Sequence, residues 1–562
     1  MRPGDGDRRG RRATCAWLAG LMAAEFLLFD RVGAHWHTRV YPRWNDQIQY
    51  LTEAYTGYMY MLARGFWAGL WNTITHPAAQ GTLDDCYAVL LFRLVGPSRS
   101  AALAVNLIAF LAWQGTLFMA VARGTGSRAL AWISAAVLLS LAGPWSAGPG
   151  SAVDFRLDHL AMCSMGVTLA AALLTDRFRA TGWSLLFGVA AGITLSTRFL
   201  TGPYFILIFA ALLAWVAASP GPGRRWRNFA LAALIALALA VPLVWLNWTW
   251  VYNYYWIGHF FGPESAIRNP HLNLVQSIAF VVGHFSGDHL GAACGGLATL
   301  VFGCLGTWAV VARRRAPEAV RSPGSEWPRQ AGMLGAIFLL SPGIVLTLHN
   351  LKSPIVEDIM TPGLVVLLLA AWAALLDYSR RRLPALAAGR PLAGLVAAAL
   401  LLGGGYFVAR QVSRPFPEEF IADARKVNAL ADGIYLRSRA AQLDQPRVGV
   451  DEVTDCLDGQ VLRVICYERH RVWVPFVMTL PTGIGEEKES VLMDHLAQSD
   501  FVFLTTDGPV GAWPYDKEMR ALRPVTQAWC EAHLYPVDRF GLLGQRMVLY
   551  QRREIPLPLA GP

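Results

Sequence analysis

Charged side chains are scarce in this chain. Asp, Glu, Lys and Arg supply only 16% of 562 residues against 54% hydrophobic, and the mean hydropathy is +0.36. Soluble domains carry about 25% charged residues, so an ordinary soluble class is excluded and an integral membrane protein is expected. Phosphate-binding and catalytic signatures are missing as well: the sequence has no Walker loop, no glycine-rich dinucleotide fingerprint behind a strand, no His-Glu-x-x-His and no Gly-x-Ser-x-Gly. ATP-driven transport and the usual hydrolase elbows are therefore unsupported. The eight cysteines include no CxxC pair and no Cys/His spacing suited to zinc, so no metal site is assigned to them. Cys456 and Cys466 are open to two readings, a disulfide if the polar C-terminal part is extracytoplasmic, or two free buried thiols.

The net charge of +10 would suit nucleic acid only if the arginines formed a patch. They lie instead in short loops between apolar runs, and no nucleic-acid partner is expected. About twenty helical residues cross a bilayer core of ~30 Å. Apolar runs of roughly that kind recur at 13–30, 100–122, 128–143, 158–175, 181–198, 201–218, 229–248, 290–312, 331–349, 361–378 and 391–409, which predicts about eleven transmembrane helices. With a cytoplasmic N-terminus (1–12), alternate ends carry Arg123 and Arg128, Arg177 and Arg179, Arg224-Arg225 and Arg227, Arg313 to Arg315, and Arg380 to Arg382. All obey the positive-inside rule. The basic N-terminus followed by Ala13 to Phe29 has no small-residue cleavage site before Glu25 and Asp30, and it is read as an uncleaved first span.

The remaining loops face outward in this topology: 31–99, 144–157, 249–289 and 350–360, with everything beyond 410. The first contains Tyr58 to Trp71, whose aromatics suit a helix lying along the interface; the third begins in an aromatic belt from Trp245 to Trp256. Past 410 the composition is that of a globular domain. Strand-like runs at Arg447–Val450, Val461–Ile465, Phe501–Leu504 and Met547–Tyr550 alternate with helical stretches at Glu486–Gln498 and Asp516–His533, predicting a small extracytoplasmic α/β domain over 410–562.

The ionisable residues of the outer loops form one set of candidates. Asp46 and Tyr50 lie in Tyr41-Pro-Arg-Trp-Asn-Asp46-Gln-Ile-Gln-Tyr50, close behind the first span. Asp154, Arg156 and Asp158 precede span four, Arg198 interrupts a long apolar stretch, and Lys352, Glu357 and Asp358 precede span ten. Asp154 fits a helix start near the positive dipole end as well as a functional role. Arg156 and Asp158 are costly beside lipid, which favours function. Arg198 suits either an interfacial anchor or a phosphate ligand. Lys352 shares a short proline-bounded loop with His349 and Glu357. His259 and Glu264, in a loop punctuated by Gly and Pro, fit a structural turn or an acceptor-binding loop.

An inside N-terminus, a long first outer loop with an acid close behind span one, interface helices, many spans and an outer globular tail together resemble the C-type membrane glycosyltransferases. The resemblance is in particular to the bacterial relatives of protein O-mannosyltransferases and to the lipid A aminoarabinose transferase. It covers roughly residues 13–409 and is weaker over the tail. Asp46 falls where that family places its first-loop catalytic aspartate, followed by Tyr50. Arg156 and Asp158 look like its second-loop Arg-x-Asp, Thr197-Arg198 stands where many relatives have Thr-Lys, and Lys352 with Pro362 resembles a late basic residue and proline. Asn45 stands where some relatives have a second acid, which leaves a divalent metal an open question. The resemblance implies a polyprenyl-phosphate sugar donor and a glycan, lipid or protein acceptor at the outer face of a bacterial plasma membrane. Asp46 would be the general base, Asp158 a second acid that orients the acceptor or supports a metal, and Arg156, Arg198 and Lys352 the phosphate ligands. The alternative is a polytopic transporter or flippase for a lipid-linked glycan. It would want charges near mid-span, whereas these collect at the outer ends.

Overall fold

The computed structural model describes residues 5–34, 37–40, 45–145, 150–219, 222–261, 265, 269–291, 294–296, 326–382, 402–403, 406, 410, 416–450, 459–473, 476–478, 489–507, 514–542 and 544–555. Its helices are α1 (Asp5–Leu28), α2 (Asn45–Arg64), α3 (Phe66–Thr75), α4 (Leu83–Val95), α5 (Arg99–Thr125), α6 (Arg128–Leu139), α7 (Leu157–Leu174), α8 (Thr181–Thr197), α9 (Thr201–Ala217), α10 (Pro222–Leu246), α11 (Leu274–His284), α12 (Glu326–Leu348) and α13 (Thr361–Arg382). They are followed by α14 (Glu418–Ala440), α15 (Gly459–His470), α16 (Glu489–Gln498) and α17 (Pro514–His533). The chain forms two compact units, one of Met1–Ala34, Leu70–Ala88 and Ala102–Arg414, the other of His35–Gly69, Val89–Ala101 and Pro415–Pro562.

The first unit is a helix bundle. Among the described residues five helices are long and apolar enough to cross a membrane, Arg99–Thr125, Leu157–Leu174, Gly223–Leu246, Glu326–Leu348 and Val356–Leu376, and four shorter apolar helices accompany them. These nine match nine of the eleven expected apolar runs; 290–312 and 391–409 fall largely outside the described residues. Burial separates the helices by role. α7 has 83% of its span inside the bundle, whereas α10 has only 22% and exposes Leu234, Leu237 and Val241. A helix apolar all round that is nonetheless exposed has lipid as its natural solvent. α7 packs between α8 and α13, α8 packs against α10, and α12 against α13. A belt of exposed aromatics begins with Trp245 in the last turn of α10 and continues beyond it with Trp248, Trp250, Trp256 and Phe261, where interfacial rings belong.

The second unit contains a five-stranded sheet of order β2-β1-β3-β5-β4, with β1 Val448–Val450, β2 Phe476–Met478, β3 Phe501–Asp507, β4 Leu534–Leu542 and β5 Gln545–Arg552. β1 runs parallel to β2 and β3, and β5 antiparallel to β3 and β4. Leu492 and Leu496 of α16 and Cys530 of α17 close over Val502, Leu504, Val548 and Tyr550, the same-face positions of alternating strands. The run Val461–Ile465, expected as a strand, is part of helix α15. Short apolar runs are ambiguous by periodicity, and here Val461, Leu462, Ile465 and Cys466 are buried at helical spacing. Cys466 is a free, buried thiol, pushed up to about 12 by burial; Cys456 lies outside the described residues. α15 packs on α2. Tyr55 stacks on Trp473 at 6.3 Å between ring centroids and donates to Glu468 Oε1 at 2.9 Å. Burial, then the Glu468 charge, raise the Tyr55 phenol, so it stays a donor. The expected interface helix at Tyr58 to Trp71 is divided between α2 and α3 at Gly65, and it exposes Leu62, Trp67 and Trp71.

α12 and α13 approach at backbone distance: a Cβ on Gly363 would lie 2.5 Å from Leu339 N. Such small-residue crossings are a general device of membrane bundles. Gly363→Val is expected to cost about 1–3 kcal/mol, read as a lowered melting temperature of the detergent-solubilised protein. Leu340→Ala, at a position 58% exposed, should leave that temperature near wild type.

Candidate functional site

In the first unit Arg123, Arg177, Arg179 and Arg225 gather at one end of the bundle. Arg123 sits over the Trp183 ring at 5.2 Å, Arg177 pairs with Glu326 at 3.3 Å, and Arg225 is in electrostatic range of Arg177 and Arg179. These residues mark the end of α5 and α7 and the start of α8, α10 and α12. α7 has 18 residues, about 27 Å at 1.5 Å per residue. At its opposite end lie the candidate residues.

There the start of α7 meets the end of α8. Asp158, in the first turn of α7 and 1% exposed, faces Arg198 with Nη1–Oδ1 at 2.6 Å and Arg156 with Nε–Oδ2 at 3.5 Å. Arg156 also comes within 4.0 Å of Asp154 Oδ2. The lead into α7 is fixed by hydrogen bonds: Gly150 N–H donates to Asp154 Oδ2 at 2.6 Å, and Asn106 of α5 donates to the Asp154 carbonyl at 2.7 Å. Asp154 therefore acts as the anchor of the segment that delivers Arg156 and Asp158.

Arg198 follows α8 in extended conformation, and the chain on either side of it is clamped by the segment before α4. Thr82 N–H donates to Ser196 O at 3.4 Å, and Phe199 N–H donates to Gln80 O at 2.8 Å. Thr201 Oγ1 donates to the Arg198 carbonyl at 2.7 Å. Between the clamps a Cβ on Gly81 would fall 1.8 Å from Thr197 O, so only glycine fits this approach.

A 3-10 turn, Val356–Met360, connects the loop after α12 to α13 and packs against α7. It brings Asp358, 3% exposed, into electrostatic range of Asp158, Arg198 and Arg156. Tyr204 of α9 is in range of Arg198 and Asp158, as is Tyr255 of the π-helical stretch Tyr252–Phe261. Burial pushes the Tyr255 phenol up to about 12, so it keeps its proton as a donor. The Tyr204 hydroxyl, Asp358 Oδ2 and Glu357 Oε2 are buried with no hydrogen-bond partner among the described residues, and such groups are costly unless something meets them. Asp358 was visible as a polar residue of the sequence without a role. Tyr204 lies in an apolar run that offers no signal at all.

Lys352, Glu357, His259 and His349 form a neighbouring group. Lys352 Nζ donates to the carbonyls of Leu346, Thr347 and His349 at 2.9, 2.8 and 2.6 Å, capping the C-terminus of α12 as a cation should. Burial pulls Lys352 below the ordinary lysine value, opposed by Glu357. His259 Nδ1 lies 3.4 Å from His349 Nε2, and its ring meets Tyr254 and Tyr255 edge-on. Glu264 lies outside the described residues. Asp46 is in the first turn of α2, half-buried, with the buried Tyr50 one turn on; both belong to the second unit. Among the described residues no group of three or more His, Cys, Asp or Glu is placed to hold a metal ion.

No family model matches this chain, and no curated protein sequence does. Solved structures do match along almost the whole chain. ArnT from Cupriavidus metallidurans bound to undecaprenyl phosphate superimposes with TM-score 0.56 at 16% identity, over 97% of this chain and 99% of that one. Its apo state gives 0.54 at 15%, over 97% and 100%. An oligosaccharyltransferase from Archaeoglobus fulgidus gives 0.48 at 12%, over 97% and 75%. The chain thus shares its fold with ArnT, and at 16% identity the likeness is one of fold alone.

Two outcomes follow from this geometry. Gly81→Ala should move Arg198 and lower the melting temperature by several degrees, whereas Gly202→Ala, with open space around its Cβ, should not; equal temperatures would contradict the clamp. His289 and His349 are both pulled below the ordinary histidine value, chiefly by burial. The unfolded chain therefore takes up their protons first, and stability falls as pH drops from about 6.5 through the folded values. Melting curves at about pH 7.5 and about pH 5.5 should converge in His289→Gln relative to wild type.

Proposed function

We propose that the chain is a membrane glycosyltransferase that moves a sugar from a polyprenyl-phosphate donor to an acceptor at the outer face of the membrane. The observation that carries the proposal is the pair of buried arginines, Arg156 and Arg198, held on Asp158 at the bundle end opposite the arginine loops. By the positive-inside rule that end faces outward. A lipid-linked phosphate enters such a site with its tail still in the bilayer, and two guanidiniums suit a phosphate anion. The ArnT structure of the same fold holds undecaprenyl phosphate, which agrees with this donor class.

In the reaction the acceptor hydroxyl or amine attacks the anomeric carbon, the bond from that carbon to the phosphate oxygen breaks, and polyprenyl phosphate departs as an anion. Asp46 is assigned the acceptor's proton as general base. Arg198 and Arg156 neutralise the charge that grows on the departing phosphate. Asp158 positions those two arginines, a narrower task than that of a second catalytic acid. Tyr255 and Tyr204 offer neutral donors beside Arg198. Lys352 works through the loop it caps, setting the turn that carries Glu357 and Asp358, and His259 packs that loop from the side with His349.

Membranes carrying the protein are incubated with a radiolabelled polyprenyl-phosphate sugar and transfer to endogenous acceptor is counted. Asp46→Asn should lose on the order of 10²–10⁴ in rate, and Arg198→Gln on the order of 10²–10³. Full transfer by Asp46→Asn removes the base assignment. No consumption of any such donor by wild type would sink the transferase reading itself.

A further inference from the structure

The first span carries a carboxyl that the chemistry above does not use. Along α1 and the turn after it, Leu18, Leu21 and Met22 are half-buried and Glu25 and Phe29 buried, whereas Trp17 and Leu27 are exposed. Positions 18, 21, 22, 25 and 29 share one helical face, so the span touches the bundle along a single stripe, and its most central buried residue is an acid. Ionisable groups inside a span are costly and mark function by default. Glu25 meets Gln114 of α5, whose Nε2 donates to Glu25 Oε1 at 3.0 Å. A Cβ on the adjacent Gly115 would stand 3.7 Å from Met22 Cε, an ordinary contact that sets α1 directly on α5. Gln114 is fully buried and lies about 16 Å from Thr125 and about 22 Å from Arg99 along α5, at 1.5 Å per residue. The pair therefore belongs to the interior of the spans rather than to their ends.

Donors and acceptors decide the protonation of this pair. Among the described residues Gln114 is the polar group that reaches Glu25, and no charged side chain does. Glu25 Oε2 and Gln114 Oε1 are both buried with no hydrogen-bond partner among the described residues. With Glu25 ionised, both of these oxygens are acceptors and neither is offered a hydrogen. With Glu25 neutral, its own O–H is the missing donor, and a carboxylic acid and a carboxamide then exchange two parallel hydrogen bonds. Unmet buried acceptors carry the full desolvation penalty, so the neutral acid is favoured twice, by the loss of the charge and by the second bond. A metal cation is the other means of satisfying two oxygens, but hard cations take six or more oxygen ligands, and among the described residues no acid or histidine cluster supplies them.

We propose that Glu25 and Gln114 form a proton-binding site inside the membrane, in which Glu25 is held as the neutral acid and its two hydrogen bonds with the Gln114 carboxamide fasten the first span to α5. The ligand is the proton itself, and the seat of α1 on the bundle depends on it. This does not depend on the transferase reading.

Infrared difference spectra of the full-length protein in neutral detergent, wild type against Glu25→Gln near neutral pH, should show the carbonyl band of one protonated carboxylic acid that the variant lacks. Gln114→Leu should shift that band, because the acid loses its hydrogen bond. Thermal melting gives an independent reading. Glu25→Gln keeps the shape and both bonds, so at about pH 5 it should melt close to wild type, whereas Gln114→Leu should melt several degrees lower. In the unfolded chain Glu25 titrates at about 4.3, so the folded state keeps a proton that the unfolded state gives up. Wild type should therefore lose melting temperature relative to Glu25→Gln as pH rises from about 5 to about 8. Should Gln114→Leu fail to fold, the comparison of wild type with Glu25→Gln carries the test alone. No acid band lost in Glu25→Gln, a melting difference that does not change with pH, or failure of the isosteric Glu25→Gln to fold would overturn the proposal. A wild-type melting temperature that follows sodium concentration instead of pH would make the site one for a cation and overturn it as well.

Discussion

The ion pair between Asp158 and Arg198 is the interaction around which the first unit is arranged. A single buried charge costs several kcal/mol, and α7 is the most enclosed of the five long apolar helices. Asp158 is acceptable at its first turn because two guanidiniums and the helix dipole meet it there. Those guanidiniums come from different places, Arg156 from the lead into α7 and Arg198 from the end of α8. Each is fixed by its own backbone contacts, to Asn106 and Gly150 in one case and to Gln80 and Thr82 in the other. The 3-10 turn with Asp358 completes the enclosure. Removal of the carboxylate would leave two buried cations with too little to balance them. A buried pair is weak evidence for stability and better evidence for a site.

The same physical constraint separates the functions of the bundle's surfaces. α10 turns leucines and valines outward and contributes no charge along its apolar length, so its exposed face is compatible with lipid. Among the described residues most charges gather at the two ends, with Glu25 of α1, bonded to Gln114 of α5, lying between them. One end carries arginines with few acids, among them Arg177 paired with Glu326 and the buried Arg225; the other carries acids and arginines together, buried and closely paired. Orientation requires only the first kind, since positive charge there is counted rather than positioned. Chemistry on a phosphate requires the second, in which position is everything.

Much of the bundle was legible in the sequence because apolar length is a linear property. Nine apolar runs are helices close to their expected bounds, and Asp158, Arg156 and Arg198 stood out because charge is conspicuous in apolar surroundings. The sequence could not say that a residue forty positions from Asp158 is its ion-pair partner. Nor could it show Tyr204, a tyrosine among phenylalanines and leucines whose hydroxyl matters only once its neighbours are known. Gly81 carried no signal either, since its importance is the closeness of another strand of chain. The bonds of Lys352 to the carbonyls of Leu346, Thr347 and His349 are likewise invisible in the sequence. The run Val461–Ile465 misled because five apolar residues fit both periodicities, and only packing against α2 and the sheet selects the helix.

The central claim is that Arg198 and its partners bind the phosphate of a lipid-linked donor. The most direct measurement is retention of radiolabelled polyprenyl phosphate by the purified full-length protein, set against the polyprenol of the same length. The account predicts that wild type retains the phosphate far better than the alcohol and that Arg198→Gln loses that preference by roughly tenfold or more. Equal retention of phosphate and alcohol, or an unchanged preference in Arg198→Gln, would contradict it.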